Sequence, residues 1–367
     1  MQKNIVLRDH FESPGFHLPK QDISGYVSWK SPSNIAFIKY WGKYGIQLPK
    51  NASLSMTLSH AFTQTDIRYS IAKDIPERSF LFEGKNNEAF SKRILKFIDS
   101  LNDVFPFLGQ LNLYISSENS FPHSAGIASS ASAMSALALC LVDMEREIFG
   151  GFTKEEDFYK KASYIARLGS GSAARSIYGG FSIWGQSKKA HLDTDNKFAI
   201  PFNENIHPFF QDLKDAILIV DEGQKKVSSS LGHSLMNEHP YADDRLAQVD
   251  GHLTQIVNSL ASGDKDSFIK ILESEAMSLH ALMMSSDPWY MLMKPQTISI
   301  IEKIKSFREK TGKFICFTMD AGPNVHLIYN GDDELDISLF IEKELKPLCS
   351  DQHIIFDEMG NGPIKIN

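Results

Sequence analysis

Ser116–Val142 reads SSENSFPHSAGIASSASAMSALALCLV. The run opens in polar residues, turns at Pro122, bends at Gly126, and passes into a segment rich in Ala, Leu and Ser. Ser129, Ser130 and Ser132 fall where a helix should begin. The first N–H groups of a helix have no internal partner, and the helix dipole adds partial positive charge there. A small-residue loop feeding such an end makes a phosphate cradle, with hydroxyls left over to bind phosphate or a metal. The order G-x-x-x-x-G-K-[ST] is absent, so this is not a Walker loop. The plainer alternative is a Ser-rich N-cap on a buried helix.

On the N-terminal side, the strand Leu111–Ile115 delivers the chain into this loop. Before it, Asn87–Leu101 has helical spacing at Phe90, Ile94, Leu95, Phe97, Ile98 and Leu101. Ser79–Phe82, Thr65–Ile71 and Asn51–His60 read as strands, the last with Leu54, Met56 and Leu58 on one face. Tyr26–Trp29 and Ile35–Ile38 read as two short strands around a turn at Ser31-Pro32-Ser33-Asn34. Lys39, Tyr40 and Lys43 then cluster at the end of an apolar strand. That grouping suits a phosphate or carboxylate; the alternative is solvated lysines where a strand leaves the core. Residues 1–24 are polar, broken by Pro14, Gly15 and Pro19, and read as an extension beyond the main fold or packed on its surface.

On the C-terminal side, Thr153–Arg167 reads as a helix with Thr153 as N-cap. It leads into Gly169–Gly180, GSGSAARSIYGG. Gly169 and Gly171 let backbone approach a ligand, and Ser170, Ser172 and Arg175 supply donors. A lone arginine among small residues points to planar recognition of an anion, or else the segment is a helix C-cap followed by packing residues. Phe181–Trp184 reads as a strand. The polar break Pro201–Pro208 marks a boundary, giving an extension 1–24, a first domain 25–205 and a second domain 206–367. In the second domain, a strand at Ala216–Val220 precedes an anion-suited loop with Lys225, Lys226, Ser228, Ser229 and Ser230. Helices are expected near 241–261, 265–285, 296–310 and 334–348, and a last strand at 353–356. Strands at 314–318 and 325–329 flank Met319-Asp320-Ala321-Gly322-Pro323-Asn324, where Asp320 reads as a turn residue. Several strands, a helix, a strand, a loop and a helix make an α+β pattern rather than strict β–α alternation.

At 367 residues, two domains sharing a cleft is the default, and 42% hydrophobic residues is ordinary for a globular core. The formal net charge of -7 disfavours a general nucleic-acid or membrane-surface binder, while a local basic pocket can still hold a small anion. Cys140, Cys316 and Cys349 lie far apart without metal spacing, which fits reduced thiols in a cytoplasm. The start MQKNIVLRDHFE has no signal-peptide core, and the longest apolar run is too short to span a bilayer. HisxxxHis spacing and the G-x-S-x-G elbow are absent, and the 12 histidines read as structural. A phosphate-cradling helix start, a Lys/Tyr/Lys strand end, a Ser/Arg loop, a Lys/Ser loop and one Asp suit an enzyme that moves a phosphoryl group onto a small anionic substrate.

Four motifs in order carry a more specific resemblance: NIAFIKYWGK at 34–43, SFPHSAGIASSAS at 120–132, GSGSAARS at 169–176 and TMDAGPN at 318–324. Together they resemble the mevalonate diphosphate decarboxylase family of the GHMP small-molecule kinase superfamily. The resemblance covers nearly everything from Gly25 onward. It implies a two-domain GHMP kinase fold: an N-terminal ribosomal-S5-domain-2-like domain, a C-terminal α+β sandwich domain, and the active site in the cleft between them. It also implies a homodimer that uses ATP and Mg²⁺ to convert mevalonate 5-diphosphate into isopentenyl diphosphate, ADP, phosphate and CO₂. Residue by residue, it implies catalytic roles for Asp320, Lys39 and Arg175. Substrate contacts are implied for Tyr40, Lys43, Ser170, Ser172, Ser228 and Ser229. Nucleotide contacts are implied for Ser124, Gly126, Ser129, Ser130 and Ser132, with Ser130 on the metal. His123 and Ser124 depart from the family's usual FPTAAGLASSA loop.

Two other enzymes share this frame, a mevalonate 3-kinase and a phosphomevalonate decarboxylase. From another class comes a non-catalytic RNA-binding protein, because S5-like folds also bind RNA and fold does not fix function. The acidic balance and the Lys39, Asp320 and Arg175 set favour full decarboxylation.

Overall fold

The computed structural model describes residues 11–13, 15, 17–19, 22–122, 127, 129–190, 192–223 and 229–367. In chain order the first half holds strands β1 (Ser24–Ile38), β2 (Lys43–Tyr44), β3 (Leu48–Pro49), β4 (Ser53–Ile71) and β5 (Arg78–Phe82), then helix α1 (Glu88–Asp99), strand β6 (Leu111–Asn119), helices α2 (Ser129–Phe149) and α3 (Glu155–Gly169), and strands β7 (Phe181–Trp184) and β8 (Ala199–Pro201). The second half holds β9 (Leu213–Leu218), α4 (Ser229–Leu235), α5 (Ala242–Ser262), α6 (Lys265–Met284), α7 (Pro295–Thr311), β10 (Ile315–Thr318), β11 (Val325–Asn330), α8 (Glu334–Phe340), β12 (Ile354–Glu358) and β13 (Ile364–Lys365). The first sheet runs β13-β1-β4-β6-β5, with β7 also on β4 and β8 on β7; the second runs β10-β11-β9-β12. This is the two-domain α+β architecture expected.

The expected turn at residues 31–34 does not form. β1 runs through it as one strand with register shifts at Pro32/Asn34 and Ala36/Ile38. The polar side chains that suggest a turn instead find partners inside the protein. Ser31 Oγ lies 2.6 Å from Ser135 Oγ, Ser33 Oγ donates to the Ile127 carbonyl, and Asn34 Nδ2 donates to Ser176 Oγ. Likewise Asn51–His60 and Thr65–Ile71 are parts of one long strand, β4, which pairs with β7 through its first residues and β6 through its last. Both faces of the start of β4 are buried. Leu54, Met56 and Leu58 enter the core on one side, and Ser53, Ser55 and Thr57 face the segment 171–178 on the other.

Helix α2 is buried on nearly every side, as a helix without a continuous polar face must be. Its Ala and Ser positions let it lie close to β1 and β4. Helix α3 begins at Glu155 with Lys154 at the cap position, not Thr153, and carries Glu155, Glu156 and Asp157 in its first turn, where the helix dipole favours them. The helix expected at 334–348 is α-helical only to Phe340, and then continues as a π turn at Ile341–Leu345 and a 3₁₀ turn at Lys346–Leu348. The N-terminal segment does not lie wholly outside the fold. Phe11 is 4% exposed and stacks on Tyr164 at 4.2 Å, and the Ser13 N–H donates to the Val104 carbonyl.

The halves are joined by shared apolar packing. Ile35, Phe37, Ile38 and Leu54 from the first sheet pack with Leu253, Ile256 and Phe268 from α5 and α6. Trp41 packs with Met236, Leu279, Leu282 and Met283. The chain end returns to the first sheet through β13, and the Asp357 carboxylate accepts the N–H groups of Ser59, His60 and Ala61. These contacts fix the cleft between the halves.

Candidate active site

The cleft holds a cavity of about 890 Å³ lined by residues from both halves, among them Lys39, Tyr40, Lys43, Ser129, Ser130, Ser170, Ser172, Arg175, His233 and Asp320. That size accommodates a small substrate together with the end of a nucleotide. Motifs far apart in sequence are thus brought to one place.

At its centre, Lys39 Nζ lies 2.9 Å from Asp320 Oδ1, and it also donates to the Ala36 carbonyl at 2.6 Å. Lys39 is 1% exposed, whereas the Asp320 side chain is open to the cavity at 32%. Burial pushes the Lys39 ammonium pKa down, and the Asp320 carboxylate opposes that push. Asp320 stands in the turn after β10 and also lines the cavity; the Gly322 N–H donates to its carbonyl at 2.7 Å.

Arg175 sits on the 3₁₀ turn Gly171–Ile177 and is 2% exposed. Its Nε and Nη1 donate to Ser55 and Ser53 on β4 at 3.1 and 2.6 Å. Burial pulls its pKa down to about 10, with the Asp320 charge opposing. Among the described residues it makes no ion pair, and a buried guanidinium without a counter-charge is costly. An anion entering the cavity would relieve that cost. The Tyr40 hydroxyl is a second unsatisfied group: it is buried with no hydrogen-bond partner. Gly171 makes room for it, since a Cβ there would lie 2.7 Å from that hydroxyl.

Ser129 and Ser130 open α2 on the cavity wall, and Ser130 Oγ lies 3.4 Å from Ser170 Oγ, which lies 3.5 Å from Ser172 Oγ. Lys43 lines the cavity and donates to Gln47 Oε1 at 3.0 Å. Ser132 does not line the cavity. It is fully buried, its hydroxyl lies 2.7 Å from Thr63 Oγ1 on β4, and it falls about half a turn around the helix from Ser130. Ser124, Gly126 and Ser228 lie outside the described residues, as do Lys225 and Lys226; Ser229 begins α4 but its side chain is not described. Next to Ser129 and Ser130, a smaller pocket of about 200 Å³ is lined by Phe80, Phe82, Phe90, Ile94, Met134 and Leu137.

Sequence reasoning missed three residues that hold the site. Glu275 Oε2 accepts the backbone N–H of Lys39 at 2.9 Å, and the same carboxylate takes two bonds from Arg245 and one from His252. Burial alone would raise the Glu275 pKa, but Arg245, His252 and the Lys39 N–H outweigh it and hold it at about 2. His280 Nε2 lies 3.1 Å from the Asp320 carbonyl, and burial pushes its pKa down to about 4, so it is neutral and donates there. One helix, α6, therefore fixes the backbones of both Lys39 and Asp320. The signal was present: Glu275 and His280 fall among Ile271, Leu272, Ala276, Leu279 and Met283 on the buried side of α6, where a charged residue requires a partner. The third residue is His233, treated below. Among the described residues no three His, Cys, Asp or Glu side chains gather as a metal cluster.

An α+β pair of domains with a serine-started helix and a Lys–Asp–Arg set in the cleft defines a protein of the GHMP kinase class. The comparisons narrow this. Residues 31–197 match the Diphosphomevalonate decarboxylase-like N-terminal domain, and residues 216–364 match the Mevalonate 5-diphosphate decarboxylase C-terminal domain. The diphosphomevalonate decarboxylase of Debaryomyces hansenii is 29% identical over 83% of this chain and 79% of its own length. The structure of mevalonate diphosphate decarboxylase from Staphylococcus aureus superposes with a TM-score of 0.79 at 28% identity, over 96% of this chain and 100% of that one. A structure described as MDDEF in complex with MVAPP, AMPPCP and Magnesium also gives 0.79, at 27% identity over 94% and 100%. The chain belongs to the diphosphomevalonate decarboxylase family.

Proposed function

We infer that this enzyme converts mevalonate 5-diphosphate and ATP into isopentenyl diphosphate, ADP, phosphate and CO₂, a step of the mevalonate pathway of isoprenoid synthesis. The observation that carries this reading is the Lys39–Asp320 pair, 2.9 Å apart in a cavity that also holds the unpaired Arg175. A tertiary hydroxyl is a poor leaving group. Once phosphorylated it departs as phosphate, the bond to the carboxyl carbon breaks, and its electrons become the new double bond as CO₂ leaves. No electron-sink cofactor is needed.

Asp320 accepts the proton of the 3-hydroxyl and later favours the positive charge that develops at that carbon. Lys39 orients Asp320. Arg175, held by Ser53 and Ser55, takes the substrate carboxylate. Tyr40, Lys43, Ser170 and Ser172 bind the diphosphate, with Ser228 and Ser229 from the second half. Ser129 and Ser130 cradle the nucleotide phosphates at the start of α2, with Ser124 and Gly126 in the loop before it, and the apolar pocket beside them suits the base. Ser130 would hold Mg²⁺, which would neutralise phosphate charge. Its hydroxyl stands at the helix start on the cavity wall, which fits that role. Positioning dominates such transfers, and the shared hold of α6 on Lys39 and Asp320 supplies it.

The boundary we place between 205 and 206 falls between β8 and β9. Its family supports a homodimer. Three free, buried cysteines support a cytoplasmic setting. Among the described residues no helix is long and apolar enough to cross a membrane.

The test follows ADP and CO₂ together from ATP, Mg²⁺ and mevalonate 5-diphosphate. Equal release of both products is expected. ADP without CO₂ would identify a 3-kinase, and turnover of the monophosphate alone would identify the other relative.

A further inference from the structure

His233 lines the cavity wall, and the Lys39–Asp320–Arg175 chemistry leaves it without a task. It stands on the short helix α4, in the sequence Leu231-Gly232-His233-Ser234. Gly232 is what brings it in. A Cβ at that position would lie 2.5 Å from Trp41 Cζ2 and 2.7 Å from the Tyr290 hydroxyl, so any larger residue would push α4 off the first half. With α4 seated, the imidazole packs tilted against Tyr40, at 4.4 Å between centroids, and against Trp41, at 4.7 Å.

The ring's two nitrogens have different surroundings. Nδ1 accepts the backbone N–H of Gly42 at 2.9 Å. Gly42 has φ of +93°, so its N–H is presented by a backbone conformation that favours glycine. A nitrogen that accepts an N–H carries no proton, so in the neutral ring the proton is on Nε2. Burial, with the charge of Lys43 adding to it, pushes the ring's pKa down to about 3 and keeps it neutral. Nε2–H has no hydrogen-bond partner among the described residues, and it is not one of the sealed, unsatisfied atoms of the interior. It is therefore a fixed donor with room for an acceptor. Its neighbours are Tyr40, whose hydroxyl also lacks a partner, and Lys43, an ammonium at the same end of the cavity.

We propose that His233 is a substrate-binding residue whose Nε2–H donates to a phosphate oxygen of the acid substrate's diphosphate, beside Tyr40 and Lys43. This rests on the functional reading above. The ligand chemistry is a phosphate oxygen, and two sources exist in the cleft, the substrate diphosphate and the nucleotide phosphates. The ring contact with Tyr40 and the nearby charge of Lys43 favour the former, because the nucleotide's serines stand on α2. The role differs from that of a lysine: it supplies direction and a tautomer set by the backbone, without adding charge.

Two substitutions separate the ring's tasks. In His233→Asn the amide oxygen can still accept from Gly42, but no donor reaches the Nε2 position. In His233→Gln a donor nitrogen can approach that position. Thermal unfolding of both in the full chain establishes that they are folded. The expected result for His233→Asn is about tenfold weaker binding and a correspondingly higher KM for mevalonate 5-diphosphate, the range for one hydrogen bond to a charged group. Its KM for ATP should stay within about twofold, and His233→Gln should recover part of the loss. Nitrogen-15 spectra of the histidine-labelled enzyme should show the proton on Nε2 and a shift of that nitrogen with mevalonate 5-diphosphate, but not with ATP alone. If His233→Asn binds the diphosphate as wild type does, the ring is packing for Tyr40 and Trp41 and the proposal fails while the functional reading stands. A change confined to ATP also overturns it. Wild-type enzyme that does not bind mevalonate 5-diphosphate defeats the functional reading and this proposal together.

Discussion

Lys39 is held by protein at its N–H, its carbonyl and its ammonium, whereas Tyr40, the next residue, keeps a buried hydroxyl with no partner among the described residues. The contrast extends outward. Behind Lys39 lies a closed web of Glu275, Arg245, His252 and Asn51; beside Tyr40 lie donors that face the cavity, on Ser170, Ser172, Lys43 and His233. The reacting end is built complete, so the proton acceptor need not move when substrate arrives, which is where preorganised groups are most effective. The phosphate end instead presents several donors to the cavity, and an oxyanion with several lone pairs can accept from many donors at once.

The strongest way to break this contrast is at its centre. Asp320→Asn removes the proton acceptor while keeping the shape, and kcat should fall by about 10²–10⁴-fold with ATP affinity nearly intact. A variant that kept more than about a tenth of the wild-type rate would show that the pair with Lys39 is structural. Next is the web itself. Glu275→Gln leaves Arg245 buried without its counter-charge, and breaking a buried pair in this way costs about 3–5 kcal/mol, readable as a lower denaturant midpoint.

The same variant carries a pH signature of known sign. Glu275 is held at about 2 in the fold, below its ordinary value of 4.5, so its contribution to stability is fully present above pH 4.5 and is lost as pH falls toward 2. Glu275→Gln should flatten that acid limb. Glu275 also raises the pKa of Lys39, which burial lowers. Without it, Lys39 loses its proton at lower pH, and the alkaline limb of kcat should move toward neutrality. An unmoved limb would mean that Lys39 is governed by Asp320 alone.

Arg175→Lys tests where the two ends meet. An ammonium cannot keep the bonds to both Ser53 and Ser55 and still hold a carboxylate in plane. A loss of about 10–150-fold in kcat/KM is expected, the range for a hydrogen bond to a charged group. Wild-type kinetics would make Arg175 a packing residue.

The contrast also explains what could be read from sequence. The groups at the phosphate end are short local motifs, GSGSAARS and KYWGK, and local spacing was enough to flag Ser170, Ser172, Tyr40 and Lys43. The web around Lys39 is not local. Glu275 acts on a residue 236 positions away, and only burial on α6 hints that it must be paired. Polar residues misled for the same reason. Ser31, Ser33 and Asn34 look like a turn until their partners on α2, at the Ile127 carbonyl and on the segment 171–177 are known, and Phe11 looks like tail until Tyr164 is found beneath it. Strand joins were lost where β4 turns from one partner to another without breaking. The helix periods of α5, α6 and α7 were legible because each has one buried side and one exposed.

Ser132 gives the smallest effect and the sharpest use of the contrast. It sits three residues from Ser129 in the same helix turn, and by composition it belongs to the phosphate cradle. By geometry it belongs to the core: its hydroxyl is bonded to Thr63 and donates to the Ser129 carbonyl at 3.2 Å. Ser132→Ala should therefore leave the KM for ATP unchanged and cost about 1 kcal/mol of stability, the usual net worth of one internal hydrogen bond. Ser130→Ala, one turn face away and open to the cavity, should do the reverse. A tenfold rise in the KM for ATP from Ser132→Ala would mean that the first turn of α2 rearranges when nucleotide binds, and that this wall of the cleft, too, is completed only by its ligand.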